Sequence, residues 1–303
     1  MESKFKQGIT YGLTAYFLWG ILPIFWKMLG TVPAFEILAN RFIWSCVFVW
    51  ALIVGSGKVK SFLAETYAIF TDRKQALAML AAAITISCNW GMFIWAVNNG
   101  RIVETSMGYY INPLVSIIFG VFFLKERLDN WQMAAVACAA VGVGTLVWNL
   151  GHVPWISLTL AMSFALYGLI KKCLLVTTLT SIMLETLLIT PIALAYEYYL
   201  SLSGASAYQT AGTDILILLA CAGAVTATPL LLFTAGAKLL PLKIVGFLQY
   251  VSPTISLLIG VFLYGESFTS VHIYGRFWLD LVWPVFIYDR TDKKEIKMML
   301  SSS

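Results

Sequence analysis

The chain has 303 residues, 60% of them hydrophobic and only 12% charged, with a formal net charge of +5. A soluble domain carries roughly a quarter charged residues, so this composition excludes one and identifies a membrane protein. The surplus positive charge lies in short clusters between apolar runs and not along one face, which excludes nucleic-acid binding.

Crossing a hydrocarbon core about 30 Å thick takes roughly 20 helical residues. Ten apolar segments approach that length: 8–28, 37–54, 76–97, 103–124, 131–149, 155–171, 180–200, 214–236, 244–264 and 272–288. The first follows the basic stretch "MESKFKQG" as a secretory signal would. It has no small-residue cleavage site and many spans follow, so it reads as the first transmembrane helix. Between the second and third spans, Gly55 to Gln75 interleaves Phe62, Leu63, Ile69 and Phe70 with Glu65, Asp72 and Arg73. This is either a short helix lying in the cytoplasmic interface or a solvated connector. Residues 289–303 read as a charged cytoplasmic tail.

Positively charged loops stay on the cytoplasmic side. With the N-terminus inside, all of the 20 lysines and arginines fall inside except Lys27, Arg41, Arg101 and Arg276, which lie within spans or at their outer ends. Both termini are therefore expected in the cytoplasm. Cys46, Cys88, Cys138, Cys173 and Cys221 are scattered without metal or redox spacing and read as packing thiols. His152 and His272 are isolated loop residues. Phosphate loops, nucleophile elbows and zinc spacings are absent, so neither a cofactor nor an enzyme activity is implied. Without an ATP-binding loop, uphill transport must draw on an ion gradient.

The stretch "YYINPLVSIIFGVFFLKE" (Tyr109 to Glu126) returns as "QYVSPTISLLIGVFLYGE" (Gln249 to Glu266). At an offset of 140 residues it shares Tyr110/Tyr250, Pro113/Pro253, Ser116/Ser256, Gly120/Gly260, Val121/Val261, Phe122/Phe262 and Glu126/Glu266. A weaker echo pairs "LWG" at Trp19 with "LYG" at Tyr167. The fold class expected is an all-α membrane protein of ten transmembrane helices in two five-helix repeats, 1–150 and 151–288. Five is odd, so the second repeat is inverted, as in secondary transporters whose substrate site lies near the midplane between repeats. Pro113 and Pro253 each deprive a carbonyl, of Tyr109 and of Gln249, of its helical partner. They are expected to break their helices, either for packing alone or beside a wet cavity.

The motifs "NRFIWS" (Asn40 to Ser45), "SCNWGMFIWAVNNGRIVETSMGYYINPL" (Ser87 to Leu114), "YGLIKK" (Tyr167 to Lys172), "LETLLITPIAL" (Leu184 to Leu194) and "TPLLLFTAGAKLLPLKIVGFLQYVSPT" (Thr228 to Thr254) resemble the RarD branch of the EamA group in the drug/metabolite transporter superfamily. The resemblance spans about Gly8 to Thr269. It implies ten helices, a bacterial inner-membrane location and an exporter-like role for a small organic metabolite or drug. The end of the chain departs from that pattern, with Arg276, Asp280 and Pro284 in the last span.

Ionisable groups inside spans are functional candidates because they are costly there. Arg41, with Glu36 and Lys27 near the same outer boundary, either meets a charged solute or snorkels to the interface. Glu185, near Lys171 and Lys172, either binds a coupling proton or forms a structural ion pair. Glu104 reads as interfacial, paired with Arg101. Trp19, Asn89, Trp90, Asn98, Tyr109, Tyr110, Asn112, Gln249 and Tyr250 make a polar and aromatic set suited to an amphipathic solute. Trp95 belongs to the interfacial aromatic belt; the alternative to a pathway role is the same belt for Tyr109 and an interhelical hydrogen bond for Asn89. The expected partners are a small organic solute, membrane lipid and protons. An uncoupled facilitator and a lipid scramblase or flippase are the competing functions.

Overall fold

The computed structural model describes residues 2–99, 101–150 and 153–263, which are helical with no strand among them. The helices are α1 (Glu2–Met28), α2 (Ala34–Gly55), α3 (Val59–Thr71), α4 (Arg73–Asn98), α5 (Ile102–Leu124), α6 (Asn130–Leu150), α7 (Trp155–Cys173), α8 (Thr178–Leu202), α9 (Ala207–Thr210), α10 (Thr213–Leu239), α11 (Leu242–Leu248) and α12 (Val251–Leu258), the last continued by a π-helical turn at Ile259–Leu263. By length and composition, 7 of the described helices are apolar enough to cross a membrane: α1, α2, α4, α5, α7, α8 and α10. The fifth expected segment coincides with α6, and the ninth with α11, α12 and the π turn. The tenth segment with Arg276, Asp280 and Pro284, the tail, Glu266, His152 and His272 lie outside the described residues.

Pro33, Pro154 and Pro241 stand immediately before α2, α7 and α11, where a missing N–H costs nothing. The segment between the second and third expected spans is a helix, α3, with Phe62 and Ile69 buried and Leu63, Tyr67 and Phe70 exposed. Glu65 ties it to the start of α8, accepting from the Thr177 N–H at 2.8 Å and the Thr177 hydroxyl at 2.9 Å. Burial pushes the Glu65 carboxyl up, but the hydrogen bonds from Thr177, Thr180 and Ser61 outweigh it and hold the group below the ordinary carboxylate range.

The principal helix contacts occur in exchangeable pairs. If α1, α2, α4 and α5 are swapped with α7, α8, α10 and α11–α12, then α5 on α7 becomes α12 on α1. Likewise α1 on α10 becomes α7 on α4, and α2 on α10 becomes α8 on α4. The contacts α2 on α8 and α5 on α11 map onto themselves. Trp19 and Tyr167, equivalent in the weak sequence echo, both reach the ring of Phe233 in α10, at centroid distances of 5.6 and 6.1 Å.

The repeated glycine and glutamate have a common cause in the first copy. Lys125 ends α5 in the left-handed region at φ 55°, turning Glu126 back over Gly120. A Cβ on Gly120 would lie 2.8 Å from the Glu126 carboxylate, so any other residue would push that carboxylate aside. From there Glu126 accepts the backbone N–H groups of Leu242 at 2.6 Å and Lys243 at 2.8 Å, capping α11. The prolines behave differently in the two copies. The second helix breaks at Gln249 and Tyr250, between α11 and α12, whereas α5 runs through Pro113 without interruption. The expectation of a break at Pro113 is corrected accordingly. Only one helical bond is lost there, and α5 is clamped where Gly108 meets Ser157 and Leu160 of α7 and Gly246 of α11 approaches the Pro113 carbonyl.

The α2–α10 seam is equally close, since the Ser45 hydroxyl donates to the Gly223 carbonyl at 3.0 Å and a Cβ on Gly223 would collide with the Trp44 carbonyl group. Gly223→Ala is expected to lower stability by about 1–3 kcal/mol. Gly144→Ala in α6, where a Cβ would meet nothing within 4 Å, should be neutral or stabilising by up to about 1 kcal/mol. Thermal unfolding of the two purified variants in detergent measures both.

Candidate functional site

Helices α2, α4, α8 and α10 surround a narrow void of about 10 Å³, enough for the centre of roughly one water. It is lined chiefly by Phe42, Ile86, Trp90, Ile182, Ala227 and Leu230, with Ser45, Glu185, Thr186 and Thr226 as its polar groups. Charged side chains stand at its two ends, and they are solvated very differently.

At one end, two turns into α2, the Arg41 guanidinium lies over the ring of Trp90 at 4.3 Å and that of Trp26 at 4.8 Å. Its Nε donates to the Thr226 hydroxyl at 3.0 Å. Trp90 is fixed in turn by Phe42, 5.4 Å between ring centroids. The Tyr109 hydroxyl is within electrostatic reach of Arg41, and Tyr109 is 49% exposed although it sits well inside α5. No carboxylate among the described residues pairs with Arg41. Aromatic faces stabilise the guanidinium without neutralising it, which leaves a cation able to take an anionic or strongly accepting group.

At the other end the charge is closed. Lys171, with no exposed surface, donates to Glu185 at 2.5 Å and to the Ser181 hydroxyl at 2.7 Å. The Tyr167 hydroxyl donates to the second Glu185 oxygen at 2.9 Å. Both Glu185 oxygens and the ammonium are thereby satisfied, the condition under which a buried ion pair is tolerated. Lys172, its neighbour, instead donates to the Leu240 carbonyl and lies 3.7 Å from Glu126. Of the two lysines the sequence offered to Glu185, the structure uses Lys171.

The remaining expected site residues divide. Trp90 and Tyr109 join Arg41. Glu36 does not: it faces Ser206 and Ala207 near Glu197 of α8, a residue the sequence reading passed over. Asn89 donates both amide hydrogens to α7, to the Leu160 carbonyl at 2.8 Å and the Ser163 hydroxyl at 2.9 Å. Trp19 packs on Tyr16, Phe164 and Phe233. Tyr110, Asn112, Gln249 and Tyr250 are buried around the α5–α11 contact, where Gln249 donates to the Ser116 hydroxyl at 3.1 Å. The Asn112 and Gln249 side-chain oxygens are left without a partner there. The side chain of Asn98 lies outside the described residues. Arg101 pairs with Glu104 at the N-terminal end of α5 and lies 5.3 Å from the Trp155 ring, which in turn meets Trp95.

Thr226 and Trp26, which complete the Arg41 cage, carry no motif. A polar threonine in the middle of the apolar α10 was the only available signal.

The EamA-like transporter family matches residues 6–148. An uncharacterized transporter, YojE of Bacillus subtilis, is 44% identical over 89% of this chain and 89% of its own length. Protein RarD of Escherichia coli K12 is 42% identical over 86% of this chain and 87% of its own. A chloramphenicol-sensitive protein RarD of Pseudomonas aeruginosa is 30% identical over 90% and 91%. A solved crystal structure at 17% identity shares the fold, with a TM-score of 0.68 over 92% of this chain and 95% of the other.

Removing Lys171 alone leaves Glu185 charged and unpaired in the interior. Lys171→Met should therefore cost about 3–5 kcal/mol, and adding Glu185→Gln should recover a large part of it. A double-mutant cycle by thermal unfolding in detergent reads the difference. Additive losses would contradict the coupling.

Proposed function

The chain belongs to the RarD branch of the EamA-like transporter family, and from that premise we propose that it is an alternating-access permease whose solute is held by Arg41. It is a multi-pass bacterial membrane protein of the drug/metabolite transporter type. The exchangeable helix contacts support an inverted repeat, which we read as two five-helix halves, 1–150 and 151–288. The distribution of lysine and arginine supports placing both termini in the cytoplasm, with residues 289–303 as a tail. The solute is a small organic molecule bearing a carboxylate or comparable acceptor, moved outward and coupled to protons.

The observation that carries this reading is the unneutralised guanidinium of Arg41 between two indoles, at one end of a void shared by helices of both repeats. A charge so placed is costly unless something binds it. The indoles would receive the apolar body of the solute while Arg41 and Thr226 orient its polar end. The void holds about one water as it stands, so passage requires α2, α4, α8 and α10 to separate, consistent with a gated permease and not with an open channel.

Metabolite profiling of the medium from overexpressing and deletion strains identifies the solute, and proteoliposomes then measure its flux. Arg41→Gln should reduce flux about tenfold or more, the scale of a lost charge-assisted hydrogen bond. Unchanged flux would exclude Arg41 as the anchor. Equal flux with and without a pH gradient would favour the uncoupled facilitator, and redistribution of labelled lipid without solute flux would favour the scramblase.

A further inference from the structure

A second charged cluster lies outside the void, where α2, α8 and the short α9 meet. Glu36 is 0% exposed and Glu197 is 8% exposed. Both approach the same hydroxyl: Ser206 Oγ lies 3.2 Å from Glu36 Oε1 and 3.4 Å from Glu197 Oε2. Glu36 Oε1 also accepts the Ala207 N–H at 2.5 Å, and Glu197 Oε1 accepts from the Asn40 amide at 2.6 Å. Glu36 Oε2 is buried without any partner.

The donors cannot support two full negative charges. Ser206 has one hydroxyl hydrogen and gives it to one carboxylate at a time. No lysine, arginine or histidine among the described residues pairs with either acid. The titratable groups facing them are Tyr196 from α8 and Tyr208 from α9. On α2, Arg41 is turned away toward Trp26, Trp90 and Thr226. No described base on α3, α4 or α10 forms an ion pair with either acid. Two like charges this close, removed from water and uncompensated, do not both ionise at neutral pH.

We infer that Glu36 and Glu197 form a proton-binding site that holds one shared proton and exchanges it on the outer side of the membrane. With the proton on Glu197 Oε2, that O–H donates to Ser206 Oγ, and Ser206 donates its own hydrogen to Glu36 Oε1. Transfer along this chain moves the proton to Glu36 and reverses both bonds, conserving atoms and charge. The relay is held in register from outside. Trp44 Nε1 donates to the Tyr208 hydroxyl at 3.0 Å, and Tyr208 donates to Asn40 Oδ1 at 2.5 Å, which turns the Asn40 amide so that it donates to Glu197 and to the backbone carbonyl of Glu36. Asn40 and Arg41 are consecutive on α2, and Glu197 shares α8 with Glu185, so the charge of the pair acts on the helices that must part for transport. That consequence rests on the permease reading; the shared proton does not.

The test is a pH titration of the full-length protein in lipid nanodiscs by infrared difference spectroscopy of the carboxylic-acid carbonyl stretch. Wild type should show a protonated carboxyl at neutral pH that disappears on alkalinisation. Glu197→Gln and Glu36→Gln should each lower the titration midpoint of the remaining acid by about one pH unit or more, a tenfold loss of proton affinity. Glu104→Gln, at another buried carboxylate, should leave the wild-type signal in place. The proposal is overturned if wild type has no protonated carboxyl at neutral pH, if the signal survives both substitutions unchanged, or if its midpoint moves with sodium at constant ionic strength, which would assign the site to a metal cation. None of these readouts requires a transported solute, so failure here is distinguishable from failure of the permease reading.

Discussion

A full charge in the membrane interior is tolerated only when it is neutralised, hydrogen-bonded or put to use, and that constraint organises this protein. Lys171 and Glu185 neutralise one another and receive Ser181 and Tyr167 besides. Glu126 spends its charge on the open N-terminus of α11. Arg41 and the Glu36–Glu197 pair are hydrogen-bonded but meet no opposite charge among the described residues, and all three stand on α2 or on the helix it packs against. Function is therefore expected along α2, where the charges lack a counterion, and rigidity where the end of α7 meets the starts of α8 and α11.

The two kinds of site share a scaffold of close helix contacts. Gly223 lets α10 reach the backbone of α2, Gly246 lets α11 reach Pro113 of α5, and Gly120 lets Glu126 fold back. The first of these seams presses Thr226 toward Arg41, and the last two fasten α5 and α11 together. A void of single-water size between α2, α4, α8 and α10 is what remains when such packing is otherwise complete.

Much of this was legible in the sequence because membrane helices declare themselves by length and apolarity. Every described span lies on an apolar run, and α3 was one of two readings of the apolar and charged residues interleaved after α2. The partnership of Glu185 with a lysine was visible because both lie on helices joined by a short turn. The choice of Lys171 over Lys172 was not, since adjacent residues on a helix point about 100° apart and only the packing says which one faces inward. Periodicity gives a face but not the neighbour it meets. Glu197 carries no signal in the sequence for that reason, and of the two readings of Asn89 its contacts fit the interhelical hydrogen bond, since its amide joins α4 to α7. The repeated proline was a true signal of repetition but a poor one for local shape, because tertiary contacts decide whether a lost bond becomes a break.

The account stands or falls on which seam opens. In a background with the five native cysteines replaced, Thr226→Cys and Thr186→Cys place thiols beside the void, and Ser116→Cys places one in the α5–α11 contact. A membrane-impermeant maleimide applied to membranes opened on both sides should label the first two and leave the third unreacted. Labelling of Ser116→Cys, with Thr226→Cys and Thr186→Cys protected, would move the pathway to the other seam and contradict the role assigned to Arg41.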